Sequence, residues 1–217
     1  MKQSFLCAAC LIFTMTSAFA AEDVQPDISQ NETSADVAVG TSQIVEQKKS
    51  LRFLLGVGET AGGDKLVIAT YTDGSTDSIS AGDGLAFYGG IGYHLNDAVS
   101  LQGTIGYHSE STKSASNGDV TFSRWPLELL AFYHVKEAFK IGGGIRLNKS
   151  PKVKGSGIAS NINESFDSTI GLVIEGEYLF SSKVGVKVRR VSEKYKQSGS
   201  PVSVDGSHFG VLASFYF

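Results

Sequence analysis

The chain has 217 residues, and 25 Gly, 21 Phe and Tyr and only 4 Pro give it the composition of an all-β protein. With 19 Lys and Arg against 22 Asp and Glu it is mildly acidic, so nucleic acid is not an expected partner. Both cysteines, Cys7 and Cys10, fall in the first ten residues, which leaves the rest without a disulfide framework, a thiol nucleophile or a cysteine metal site.

Residues 1–20 carry a charged Lys2, an apolar run from Phe5 to Met15 and a small-x-small site at Ala18-Phe19-Ala20. That is the form of a signal peptide cleaved near Ala20. A transmembrane anchor is the alternative, and the short apolar core opposes it. Residues 21–50 are polar without period and read as a flexible periplasmic segment. No later stretch reaches the roughly 18 apolar residues of a membrane-spanning helix.

From residue 51 the apolar positions recur every second residue, the period of a strand with two unlike faces. Leu51, Phe53, Leu55 and Val57 open the pattern. Leu85 to Leu95 and Val99 to His108 form the second and third strands around Asn96-Asp97-Ala98. The fourth runs near 119–135 and the fifth near 139–148. The sixth runs near 166–180, the seventh near 184–195, and the eighth is His208–Phe217. Each can cross a bilayer as a tilted strand of about 9–11 residues. Pro126 lacks a ladder donor, so a bulge is expected there.

The connections alternate in length. Asn96-Asp97-Ala98, Lys136-Glu137-Ala138 and Ser181-Ser182-Lys183 are tight, while 60–84, 111–118, 149–165 and 196–206 are long. Short turns at one end and long loops at the other describe an up-and-down barrel. The first long loop holds its own hairpin, 65–72 and 75–81 about Asp73-Gly74. As membrane strands these would put Asp77 or Ser78 in lipid, so they are read as external.

The polar face then points inward. It carries Arg52, His94, Gln102, His108, Arg124, Glu128, Lys140, Arg146, Glu175, Glu177, Lys187 and Arg189. Three-residue turns fix the register and set Glu128 against Arg146, Glu177 against Lys187 and Glu175 against Arg189. An eight-stranded barrel is just wide enough to be filled by side chains, so paired charges are expected to plug it. A polar path for solutes is the alternative. Gly90, Gly92, Gly106, Gly142, Gly144 and Gly171 also face in, either making room for long side chains or leaving a cavity. His94, His134 and His208 read as lumen fillers. No cofactor is implied, and no His cluster has metal spacing.

The signal segment, the eight strands and the terminal Phe217, with Phe215 two residues earlier, resemble the small bacterial outer-membrane β-barrel family of the OmpA-like and OmpX-like type. The resemblance covers residues 51–217, and Leu212 stands where that family often has a small residue. It implies an all-β, eight-stranded antiparallel up-and-down transmembrane barrel in the Gram-negative outer membrane, with an extra external hairpin. It also implies insertion by the barrel assembly machinery, with Phe215 and Phe217 as the signal, among outer-membrane lipids and lipopolysaccharide. Lys149, Lys152, Lys154, Arg190, Lys194 and Lys196 are candidate lipopolysaccharide contacts at the outer rim. A closed barrel has no edge demanding a partner, so a monomer is expected.

The functions that follow from the resemblance are envelope integrity or surface interaction, then a narrow porin, then a lipid A-modifying enzyme. Only His108-Ser109-Glu110-Ser111 invites the last reading. Alternation sends His108 and Glu110 inward and Ser109 and Ser111 outward, which separates a Ser–His pair, so a non-enzyme is expected.

Overall fold

The computed structural model describes residues 50–70, 74, 76–112 and 118–217. The expected signal peptide, the segment 21–49, Asp73 and the middle of the 111–118 loop lie outside the described residues. The strands, in order, are β1 (Leu51–Gly62), β2 (Lys65–Thr70), β3 (Thr76–Ser80), β4 (Gly84–His94) and β5 (Val99–Ser111). There follow β6 (Val120–Lys136), β7 (Phe139–Gly155), β8 (Asn163–Ser165) and β9 (Thr169–Leu179). The last are β10 (Val184–Ser192), β11 (Lys194–Lys196), β12 (Ser203–Asp205) and β13 (His208–Tyr216).

Eight of them close a ring. Around it run β1, β4, β5, β6, β7, β9, β10 and β13, each antiparallel to the next. β13 pairs back onto β1 from Leu54↔Tyr216 to Gly62↔His208. Closure leaves the wall no unpaired edge. Alternation sorts the side chains as the sequence predicts. Phe53 is 61% exposed and Ile170 71%, whereas inward-facing Glu177 and Lys187 are fully buried. Tight turns join the strands at one end: Asn96 Oδ1 accepts from the backbone N–H groups of Ala98 and Val99, and Ser181 Oγ from those of Lys183 and Val184.

The external hairpin is present, for β2 and β3 pair only with each other. Three boundaries move. β7 runs on from Asn148 to Gly155, because its upper half pairs with β6 as far as Val120↔Gly155 and also carries β8. β9 begins at Thr169 rather than near Phe166, which makes only an isolated bridge to Gln197. β10 stops at Ser192, and Tyr195 belongs to the β11–β12 hairpin.

The expected bulge at Pro126 is contradicted. The β5–β6 register is the same on both sides of it, at Ile105↔Leu127 and His108↔Arg124. Without an N–H, proline there omits a bridge and shifts nothing. The bulge lies on β7, where Ser150 and Pro151 together oppose Arg124 between Ser123↔Lys152 and Trp125↔Lys149. Ser150 takes up the extra residue with a positive φ of 49°.

Over the loop end sits a second core. Phe122, Phe166 and Tyr195 pack edge to face, with ring centroids 5.8–6.2 Å apart. Ile79, Ala81, Val120 and Val153 complete the buried cluster, and Leu66, Val67, Ile162 and Val204 flank it. The strand extensions and loop hairpins thus fold into an apolar cap.

Candidate functional site: the lumen

The inward face joins nine ionised side chains into one alternating string. At the loop end Arg124 Nε lies 3.9 Å from Glu193 Oε1, and Glu193 Oε2 lies 3.4 Å from Arg146 Nε. Arg146 Nη1 is 3.3 Å from Glu128, and Glu128 is 2.9 Å from Arg189 Nη1. Arg189 pairs with Glu175, whose other oxygen is 2.8 Å from Lys187 Nζ. Lys187 is 3.7 Å from Glu177, and Glu177 is 2.9 Å from Lys140 Nζ. Every interior member of the string touches two opposite charges. In a medium that screens little, such an arrangement offsets the desolvation of each ion.

All three pairs expected from register are opposed on adjacent strands. Two of them reorganise in three dimensions. Lys187 reaches closer to Glu175 than to its direct partner Glu177, and Arg189 forks between Glu175 and Glu128 across the lumen. Neutral groups add hydrogen bonds to the string. Ser214 and Tyr216 hydroxyls donate to Glu177 at 2.5 and 2.6 Å, and Gln102 Oε1 accepts from Lys187 at 3.1 Å. Lys140 and Lys187 each lie over the Phe132 ring, and Arg124 over the rings of Phe122 and Tyr195.

Glu193 is the member that the sequence reading missed. It accepts from Asn148 Nδ2 and Tyr195 Oη and ties Arg124 to Arg146. The signal was present: Arg189, Val191 and Glu193 share the inward parity of the seventh strand. Inward glycines make room for this filling. A Cβ on Gly142 would meet the Phe132 ring at 2.5 Å, and one on Gly171 would meet Glu193 Cβ at 2.8 Å.

The two mouths differ. At the turn end Arg52, His94, Ser100 and His134 line a recess of only about 30 Å³, room for roughly one water. There His134 Nε2 lies 2.8 Å from Ser100 Oγ, and Arg52 reaches the Ser182 carbonyl at 3.3 Å. At the loop end His108 is fully buried, 2.8 Å from Thr60 Oγ1 and 3.4 Å from both Arg124 and Arg146. His208 Nδ1 donates to the Gly206 carbonyl at 2.8 Å. Above them Glu110 accepts from the Ser80 N–H at 3.2 Å. Burial, and next the neighbouring Asp83, raise its pKa to about 7.

The rim cations do not form one set. Lys149, Lys152 and Lys154 lie along β7, whereas Arg190 on β10 stacks over Phe209 at 5.0 Å and Lys194 opposes Asp205 in β11–β12. β9 stands between β7 and β10. Phe215 faces outward, and Phe217 exchanges backbone hydrogen bonds with Phe53.

No protein-family model and no curated protein matches the chain. Among solved structures it is similar to Ail, the attachment invasion locus protein of Yersinia pestis, in complex with the heparin analogue sucrose octasulfate. The TM-score is 0.50 at 14% identity over 77% of this chain and 99% of that one. The N-terminal β-barrel domain of Pseudomonas aeruginosa OprF follows with TM-score 0.42, 14% identity, and 77% and 97% coverage. Neisserial surface protein A gives 0.44, 12%, and 76% and 94%. The chain has the fold of a small outer-membrane barrel.

Proposed function

We propose that this chain is an integral outer-membrane barrel whose lumen is closed by paired charge, and that it acts through its wall and its loop-end head in envelope integrity or surface contact. The apolar outer wall suits a bilayer, and the long loops then face outward as in other such barrels. One observation carries the closed lumen: the string from Arg124 to Lys140 runs along the interior with every interior ion doubly paired. A path for solutes would need those pairs to part, and a buried ion that loses its partner costs about 3–5 kcal/mol. Catalysis gains no support from His108, which is spent on Thr60 and two arginines.

The expectation is tested by single-channel conductance of the refolded chain in a planar bilayer, beside Glu175→Gln/Glu177→Gln. The native barrel gives no steps, and the variant leaks. Steady native steps whose ion selectivity changes in the variant would instead make the lumen a pore.

A further inference from the structure

The string of ions through the lumen does not balance. Arg124, Arg146, Arg189, Lys187 and Lys140 face Glu193, Glu128, Glu175 and Glu177, so it begins and ends on a cation. The two ends are not alike. At the loop end Arg124 has Glu110 near it as well as Glu193. At the turn end Lys140 holds Glu177, which Lys187 also reaches, and a further cation, Arg52, lines the same recess as Lys140. Among the described residues Arg52 has no carboxylate within ion-pair distance, and its guanidinium donates to the Ser182 carbonyl.

The recess between these cations is built from donors. Gln102 is almost fully buried, and its Oε1 accepts from Lys187 at 3.1 Å. An ammonium has no lone pair to offer, so the amide oxygen must be the end that faces it. That leaves Gln102 Nε2 as a buried donor without a partner on a side chain that lines the recess. His94 Nδ1 is likewise buried and unpartnered, and it carries the proton in one of the two neutral tautomers. Lys140 has three N–H groups, of which Tyr216 and Glu177 take two, at 3.1 and 2.9 Å. Among the described residues no carboxylate lines the recess.

We infer that the turn-end recess binds one small monovalent anion of the size of chloride. The ion lies among the free donors of Gln102, Lys140 and Arg52. It gives Lys140 the second opposite charge that every interior member of the string already has. The room is about 30 Å³. Chloride is little larger than water and fits, whereas sulfate and phosphate, with four oxygens around a centre, do not. A water molecule also fits and would satisfy the orphaned amide. It brings no charge, and it is charge that this end of the string lacks.

The probe is chloride itself, titrated into the chain refolded in chloride-free zwitterionic micelles while the chlorine NMR linewidth is recorded. Chloride held in a slowly tumbling barrel relaxes fast. Binding therefore broadens the line, and the excess width fades as free chloride outnumbers a filled site. Bromide should remove the broadening, and sulfate at equal ionic strength should not. Arg52→Gln should bind about tenfold more weakly. Gln102→Glu, which sets a carboxylate in place of the orphaned donor, should not bind. Each variant is first checked for the electrophoretic shift of a folded barrel. Arg52 is half-buried at the mouth, so its variant stands as the test if Gln102→Glu fails to fold. No broadening in the native chain, or equal removal by sulfate, which would mean surface screening alone, overturns the site. Broadening unchanged in Arg52→Gln marks an adventitious ion only and overturns it as well. Binding requires the ring and its lumen side chains, not a lumen that stays closed, so steady conductance steps in the native chain would overturn the closed lumen and leave the anion site standing.

Discussion

The barrel is filled in two places, by opposite chemistry. The lumen is filled with ions, and the cap above it is filled with Phe122, Phe166, Tyr195 and aliphatic side chains. Apolar packing is non-directional, so each cap residue contributes roughly its own buried area. An ion string is held by pairs, and a member removed takes one of the two opposite charges from each interior neighbour. The lumen is therefore the brittle region and the cap the tolerant one.

The sharpest way to break the contrast is Glu128→Gln. Glu128 bridges Arg146 and Arg189, so its neutralisation takes one carboxylate from each of two buried cations and leaves Arg146 to Glu193 and Arg189 to Glu175. A global loss of about 3–5 kcal/mol is expected in urea unfolding of the micelle-bound barrel. Adding Arg146→Met should recover part of the loss, because a double-mutant cycle removes a pair rather than half of one. A purely additive double variant would mean that the string is not coupled.

In the cap, Phe122→Ala removes a fully buried ring. The cost is about 3 kcal/mol, at the low end for Phe→Ala, because walls made of loops can collapse into the cavity. The damage should stay local, with loops that proteases cut faster and a lumen that still gives no conductance steps. Leak from this variant would show that the cap, rather than the string, closes the barrel.

This difference also separates what the sequence could reveal from what it could not. Period-two alternation names the eight ring strands and their inward ions, and three-residue turns set Glu177 against Lys187 and Glu175 against Arg189. The same parity, carried two residues past Val191, reaches Glu193. The forked reach of Arg189 to Glu128 crosses the lumen between strands that are not neighbours, and no local pattern encodes it. The cap is equally hidden. Ile79 and Val153 fall in stretches that read as long loops, Phe166 and Tyr195 at the ends of strands, and only the folded barrel mouth brings them together. The bulge escapes for a related reason: Pro126 is conspicuous but harmless, while Ser150 and Pro151 carry the extra residue.

The smallest expected effect lies where the two regions meet, at Glu110. Its carboxylate holds the β2–β3 hairpin through the Ser80 N–H, faces Asp83 and Asp77, and has Arg124 on the lumen side. Burial and then Asp83 raise its pKa from the ordinary 4.5 to about 7, against the smaller lowering by Ser80 and Arg124. A folded value above the unfolded one means that folding takes up a proton between those limits. The stabilisation is whole below about pH 4.5 and is lost as pH rises through about 7. Because Glu110 is only half-buried, the change should loosen the hairpin without unfolding the barrel. Hydrogen exchange at the Ser80 amide, corrected for its intrinsic pH dependence, should quicken from pH 6 to pH 8. Glu110→Gln keeps an acceptor for Ser80 but cannot ionise, so its exchange should be flat across that range. The same pH response in Glu110→Gln would assign the titration to another group at the mouth and leave the hairpin as indifferent to charge as the apolar cap beneath it.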